Sequence, residues 1–424
     1  MWRLSIVLVG LVLVTTSCLQ HNDSETDQVN AQEEKVTLTI LTNIDWMADG
    51  VYQQLFHEYQ KKSGNHIQVQ VVPGGQRFEE IVTAKIATQD YPDLLLYIPT
   101  KSYIEQLQPQ KNFVDLSNEP YVTYINPEVR KLYGNLRGKT YGIPMSGIFV
   151  NGVFYNKDVF RKADITDIPE TWEAFIEACE RIKSIGVTPI YESGGDKWPL
   201  IQFSLMGFSS NLKDKPEIID QLHAGELTFS GLEPFRELLY KQLELKDKGY
   251  VNKNLFSGTY SESLSLLASG KVGMIFQSDF IIPQLKRNNP EAEIGIFPFP
   301  NGENRVVTYS FPYELFILNQ TQHLTQAKEF VSFLTQAETL GQYYMLRRMV
   351  PAWSSIETDL DPILTEVGPY IHDGLTQFGL SELTDTTLWT GDFPSLLIDM
   401  LAEEKTPEDV LQALDMLFEQ GRRL

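Results

Sequence analysis

VTLTILT (36–42), IQVQVV (67–72) and PDLLLYI (92–98) are three apolar runs separated by two amphipathic ones. The first two alternate and are rich in β-branched residues, and the third is a short continuous apolar run, so all three read as strands. Between the first two, Val51, Leu55 and Tyr59 fall on one helical face and Gly64 supplies a stop. FEEIVTAKIAT (78–88) reads as the next helix. A β-α-β-α-β order requires parallel strands joined by right-handed crossovers, which makes the fold class α/β.

The pattern continues downstream. IFVNGVFYN (148–156), VTPIY (187–191), KVGMIFQ (271–277) and EIGIFPF (293–299) are further strands. TWEAFIEACERIKSIG (171–186) is a helix with Thr171 as its cap, Phe175, Cys179 and Ile182 on one face, and Gly186 at its end. Trp172 pins the start of that helix. QAKEFVSFLTQAETLGQYYML (326–346) reads as one long helix. TPEDVLQALDMLFEQ (406–420) closes the chain, with Thr406 and Asp409 placed for a reciprocal cap and Pro407 in the first turn. No internal repeat appears.

Upstream, residues 1–17 are an address. Arg3 precedes an apolar run from Leu4 to Val14, which suits a signal-peptide core and is short for a membrane span. Thr15, Thr16 and Ser17 lead to Cys18, an arrangement that resembles the lipobox of bacterial lipoproteins. Cys18 is the expected lipidation site, and a lipidated Cys18 cannot pair with Cys179, the other cysteine. Residues 18–34 hold almost no large apolar side chain and read as a flexible tether. The mature protein is therefore expected outside the cytoplasm, lipid-anchored on the extracytoplasmic face of the cell membrane, with no later stretch apolar enough to span a bilayer.

A chain of 424 residues fits two domains or one large one. The formal charge of −21 repels phosphates, which argues against nucleic acid and against anionic membrane surfaces as partners. The 6 Trp, 19 Tyr and 23 Phe leave material for a stacking site. GNLRGKT (134–140) has the outline of a phosphate loop but is one residue short, and Pro144 opposes a helix start after it. Asp45, Met47 and Asp49 sketch a calcium loop, but Met47 cannot ligate calcium and Phe56 stands where a bidentate Glu belongs. Six scattered histidines show no metal-binding spacing, and there is no GxSxG elbow. No metal and no cofactor is expected.

GKTYGIPMSGIFVNGVFYNKD (138–158) resembles a block of the extracytoplasmic sugar-binding proteins of ABC importers, the group that includes the maltodextrin-binding protein. The resemblance runs on in order through PDLLLY (92–97), IPETWEAF (168–175), KWPLIQF (197–203), GKVGMIFQSDFIIP (270–283), FPFPNGE (297–303) and AKEFVSFLT (327–335). It covers nearly the whole mature chain. It implies a two-lobed periplasmic-binding-protein-like fold, each lobe a mainly parallel sheet flanked by helices, with the ligand in the cleft between lobes. Lobe one would hold 35–147 and 303–350, and lobe two 148–302 and 351–424.

Sugars present hydroxyls and apolar C–H faces, so their sites combine polar side chains with aromatic ones. Loops after strands are where open α/β sheets bind ligands. By that reasoning and the resemblance, the candidates are Asp45 and Trp46 after the first strand, Arg77 opening a helix, Tyr97 at a strand end, and Asn151 at the lobe crossing. Asp196 and Trp198 lie beside Gly194 and Gly195, which would let backbone approach a ligand. Asp279 and Phe280 end a strand, with Phe280 where the family carries a Trp that stacks on sugar. Trp353 and Trp389 are loop aromatics without periodic burial. The competing structural readings are a solvated surface loop for Asp45 and Trp46, a polar side chain on the surface for Arg77, and packing for Trp198, Phe280, Trp353 and Trp389.

The expected function is the solute-binding subunit of an ABC importer, a monomer without catalysis that captures a sugar or oligosaccharide and delivers it to the permease subunits. The alternatives are the same fold binding a peptide or polyamine, a secreted glycoside hydrolase, whose paired carboxylates would be distant in sequence, and a surface adhesion lipoprotein.

Overall fold

Thr37–Thr42 pairs in parallel with His66–Val71 on one side and with Leu94–Tyr97 on the other, in a computed structural model of the chain. The structure describes residues 35–43, 50–72, 76–98, 101–132, 135–213, 215–384, 387–389 and 391–422. Glu314–Ile317 joins the third strand antiparallel, and Gly142–Pro144 follows it, completing a five-stranded sheet. The helices Gly50–Ser63 and Gln76–Thr88 are the two crossovers. Asp93 anchors this sheet. One carboxylate oxygen accepts from the N–H and hydroxyl of Thr39, and the other from Thr321 and His323.

The second sheet is built around Phe149–Asn156, buried along its whole length. Val272–Ser278 pairs with one edge of it, while Val307–Ser310 and Ile294–Phe297 share the other, all antiparallel. Thr188–Ile190 and Thr376–Phe378 extend the sheet by parallel pairs. The two-sheet α/β architecture is the expected one, but this sheet is mixed and not mainly parallel. The chain enters it by a direct crossing strand, not through a helix, so the central strand faces neighbours running the other way.

The chain leaves the first sheet after Pro144 and enters the second at Phe149. It comes back at 311–313 and not near 302, because Val307–Ser310 still pairs with Phe149–Asn151. One hydrophobic core joins a face of the first sheet (Leu38, Ile40, Leu94) to a face of the second (Val150, Phe154, Ile275). Separate cores cover the opposite faces.

Local chemistry explains most element ends. The Thr171 hydroxyl accepts from Ala174 N–H and opens the helix Trp172–Ser184. Thr406 and Asp409 cap each other at the start of Pro407–Arg422. The long helix expected at 326–346 is two, Leu324–Leu334 and Ala337–Arg347. Thr335 turns its hydroxyl back onto the carbonyls of Val331 and Ser332, and Gln336 is extended, so the ladder stops there. Residues 135–140 form a tight hairpin with Arg137 and Gly138 both at positive φ, the geometry of a two-residue turn and not of a phosphate loop. Cys179 is fully buried in the second lobe's core, and burial pushes its thiol well above the ordinary value.

Candidate functional site

Among the elements that connect the two sheets, a cavity of about 500 Å³ opens. The first turn of helix Gly50–Ser63 forms one wall. Phe149, at the start of the central strand, and Asp279 and Phe280, just past the end of Val272–Ser278, form another. The helix Ile282–Asn288, the end of helix Ala337–Arg347 and Asp361 complete it.

Phe280 is half-buried, and its ring belongs to an aromatic group that the fold assembles from four segments. Phe149 meets it edge-on at 5.9 Å, Trp198 lies 6.2 Å away and Tyr260 6.3 Å away. Trp198 and Tyr260 also touch, at 5.1 Å. Of these four rings Phe149 and Phe280 line the cavity, with Trp198 and Tyr260 behind them, and an aromatic ring at a cavity wall is what the apolar face of a pyranose stacks on.

Asp279 is buried beside Phe280. One carboxyl oxygen accepts from Val150 N–H at 3.1 Å, and the other has no hydrogen-bond partner among the described residues. Burial is the main cause that pushes its pKa up to about 8, with the Asp361 carboxylate adding to it, while the Val150 N–H and the Arg347 guanidinium pull the other way. A buried polar oxygen left unpaired at a cavity wall is costly unless something arrives to bond it.

The other sequence candidates scatter. Asp45 and Trp46 lie outside the described residues, as does Cys18. Arg77 is exposed at the start of helix Gln76–Thr88, away from the cavity lining. Tyr97 is core: it packs on Phe78 at 4.5 Å and donates its hydroxyl to Glu79 at 2.9 Å, and burial with that carboxylate raises its pKa far above the ordinary value. Asn151 is buried in the central strand, where its amide donates to Ser310 Oγ at 2.7 Å.

Asp196 is exposed, and its carboxylate accepts from Tyr260 N–H at 2.6 Å, so it holds the start of the helix Tyr260–Ala268 against the Trp198 turn. Gly194 and Gly195 do permit close backbone approach, but to the loop at 255–258: a Cβ on Gly194 would stand 2.5 Å from the Leu255 carbonyl oxygen. Trp353 and Trp389 are fully buried, one in the core joining the sheets and the other in the second lobe's outer core. Their side chains are used up by packing, so neither faces the cavity.

Sequence reasoning passed over Phe149, Tyr260, Lys286, Arg287, Arg347 and Arg348. The arginine pair gives a signal in sequence, two cations at a helix end, but that pattern ordinarily reads as compensation of the helix dipole. No group of His, Cys, Asp and Glu able to hold a metal occurs among the described residues. No helix of the described residues is long and apolar enough to cross a membrane.

The family model of the bacterial extracellular solute-binding proteins matches residues 46–340. The multiple sugar-binding protein of Streptococcus mutans serotype c is 25% identical over 352 residues, 81% of each chain. The melibiose/raffinose/stachyose-binding protein MelE of Bacillus subtilis is 23% identical over 359 residues, 82% of this chain and 80% of its own. Among solved structures, the solute-binding protein RafE in complex with raffinose superposes with a TM-score of 0.78 at 21% identity, covering 92% of this chain and 100% of RafE. That last likeness carries the two-lobed fold, and the match over residues 46–340 carries the family: the chain belongs to the bacterial extracellular solute-binding proteins.

Proposed function

We propose that this chain is the sugar-binding subunit of an ABC importer, taking up a sugar or oligosaccharide in the cleft between lobes and handing it to the permease. The observation that carries the reading is the cavity where the half-buried ring of Phe280 lies beside the unpaired carboxyl oxygen of Asp279. One group offers a stacking face and the other a hydrogen-bond partner, the two kinds of contact a saccharide asks for. The names of the relatives, sugar-binding proteins, support the same choice over a peptide or polyamine. Asp279 and Phe280 are the central binding residues, with Phe149 and Trp198 backing the ring. Asp45 and Trp46 precede the cavity-lining Gly50 in sequence and belong to the same proposal.

A thermal-shift screen of the mature protein against mono- and oligosaccharides tests this directly. A ligand at ~100 times its Kd adds roughly 2.7 kcal/mol of stability. Stabilisation by peptides or polyamines and by no saccharide would overturn the reading, and cleavage of an oligosaccharide on incubation would favour a hydrolase. For the stabilising sugar, Phe280→Ala is expected to weaken binding by roughly 1–2 kcal/mol. The ligand-free melting temperature should fall far less than for a core Phe, whose loss costs roughly 3–5 kcal/mol. Unchanged affinity by calorimetry would remove Phe280 from the site.

Binding is coupled to closure of lobe one on lobe two, since a ligand touching both walls favours the closed state by the contacts it gains there. The crossings at 145–148 and 311–313 are the hinge segments of this reading. Small-angle scattering should show a smaller radius of gyration at saturation, and an unchanged radius would argue against closure.

The anchor belongs to the proposal as well. Cys18 becomes the lipidated first residue, 18–34 the tether, and the monomeric protein is held at the extracytoplasmic face of the membrane. Wild type expressed in a bacterium should partition to membranes and carry lipid by mass, whereas Cys18→Ala should not. Equal partition of the two would refute lipidation at this residue.

A further inference from the structure

The cavity gathers four cationic side chains from two helices, none of them without a partner: Arg287 donates to Gln284 Oε1 at 2.8 Å, Arg347 lies over the Tyr52 ring, and Arg348 Nε donates to the Asp359 carbonyl. Lys286 and Arg287 reach it from helix Ile282–Asn288, and Arg347 and Arg348 from the end of helix Ala337–Arg347. Among the described lining residues these four bases face two acids, Asp279 and Asp361, in a chain whose formal charge is −21. Asp361 is already engaged: it accepts from Lys286 Nζ at 2.5 Å and from Ile363 N–H at 3.1 Å. Asp279 lines the cavity but is buried, and one of its oxygens has no hydrogen-bond partner among the described residues. Burial, which pushes its pKa up to about 8, favours the neutral carboxyl at neutral pH, so it sets little negative charge against these cations.

Two further features point the same way. Gly50 and Val51 put the N-terminal end of a 14-residue helix on the cavity; its first turn holds no acidic residue, and Asp49 directly precedes it in sequence. Arg348 sits at φ 54°, a left-handed position that glycine adopts without strain. The chain keeps an arginine there at a conformational cost, and that residue lines the cavity.

We infer that the saccharide this cleft takes is anionic, a sugar bearing a carboxylate of the uronate type that is held among Arg287, Arg347 and Arg348 with the Asp279 carboxyl beside it. Guanidinium groups match a planar carboxylate with paired hydrogen bonds, and a half-enclosed site weakens screening by water. The inference rests on the saccharide reading above and narrows it.

The test is a set of matched pairs offered to the mature protein: uronate and neutral oligosaccharides of equal length in the gluco, galacto and manno series, with a sulfated disaccharide, a sugar phosphate, and free sulfate and phosphate as further arms. In a pair that binds, the uronate member should bind at least about tenfold more tightly, and raising NaCl from about 50 to 500 mM should weaken it severalfold. Arg348→Gly should keep or raise the ligand-free melting temperature while removing most of the uronate advantage. Arg347→Gln should lower uronate affinity more than neutral affinity. Preference for the sulfated or phosphorylated sugar would keep the anionic site and replace the carboxylate. Equal or tighter binding of the neutral member in every pair that binds overturns the anionic inference and leaves the sugar reading standing. Binding of free anions without any saccharide, or of nothing in the panel, overturns both.

Discussion

Trp389→Ala should destabilise the protein by about 3–5 kcal/mol without touching the ligand cleft. The indole is fully buried in the second lobe's outer core. Phe393 meets it edge-on at 5.1 Å, Phe229 at 5.6 Å and Phe235 at 6.3 Å, and its N–H donates to Thr384 Oγ1 at 2.7 Å. Truncation leaves a cavity among rings that are themselves fixed by other contacts, so little of the space can collapse. Urea unfolding should show a lower midpoint with an unchanged slope. Sugar affinity, measured at a temperature where the variant is folded, should match wild type. A loss below about 1 kcal/mol, or a loss of affinity at constant stability, would move Trp389 out of the core.

Trp389 and Trp353 show where sequence reading stops. Each stands in an irregular segment with no periodic apolar neighbours, so nothing local distinguishes a buried ring from one turned to a ligand. Both were resolved only by contacts from far along the chain: Phe229 and Phe235 for Trp389, and for Trp353 the bridge to Ile125. By contrast, the first β-α-β-α-β unit and the helices opened by Thr171 and Thr406 were legible, because period and capping are properties of adjacent residues. The break at Thr335 was not, since its back-bonded hydroxyl sits in a run whose apolar spacing continues across it.

The site divides on the same line. Asp279 and Phe280 were legible from a strand end and from resemblance. Asp196 was also at a strand-end loop, yet its carboxylate is taken by Tyr260 N–H, a partner 64 residues away. The cations of the cavity come from two helices whose sequences read as ordinary solvent-facing ends, and only the fold brings them to one wall.

Stability should fall as the pH rises from about 4 to 8 and then level off, because burial holds Glu192, Asp279 and Glu314 protonated in the folded chain, and Glu382, pushed up to about 7, adds to them. Glu192, Asp279 and Glu314 are each at most 5% exposed, and each has an oxygen with no hydrogen-bond partner among the described residues. Desolvation pushes each pKa up to about 8, from ordinary values of 4.5 for the glutamates and 3.8 for Asp279. Glu314 fits only because Gly142 lies opposite: a Cβ there would stand 2.6 Å from its Oε2. Below pH 4 the folded and unfolded chains both hold these protons, and burial of the neutral acids carries no ionic penalty. Between pH 4 and 8 the unfolded chain has released them while the folded chain still binds them, so the folded state holds more protons and loses stability with rising pH. The slope approaches roughly 1.4 kcal/mol per pH unit for each group acting fully. Above pH 8 both states are ionised and the loss is complete. Glu314→Gln keeps the shape and removes one titration, so its melting temperature should decline more gently than wild type between pH 5 and 8, with the two curves diverging most at pH 8. Parallel curves for the two proteins would mean that Glu314 is ionised in the folded state and is met there by a cation or water.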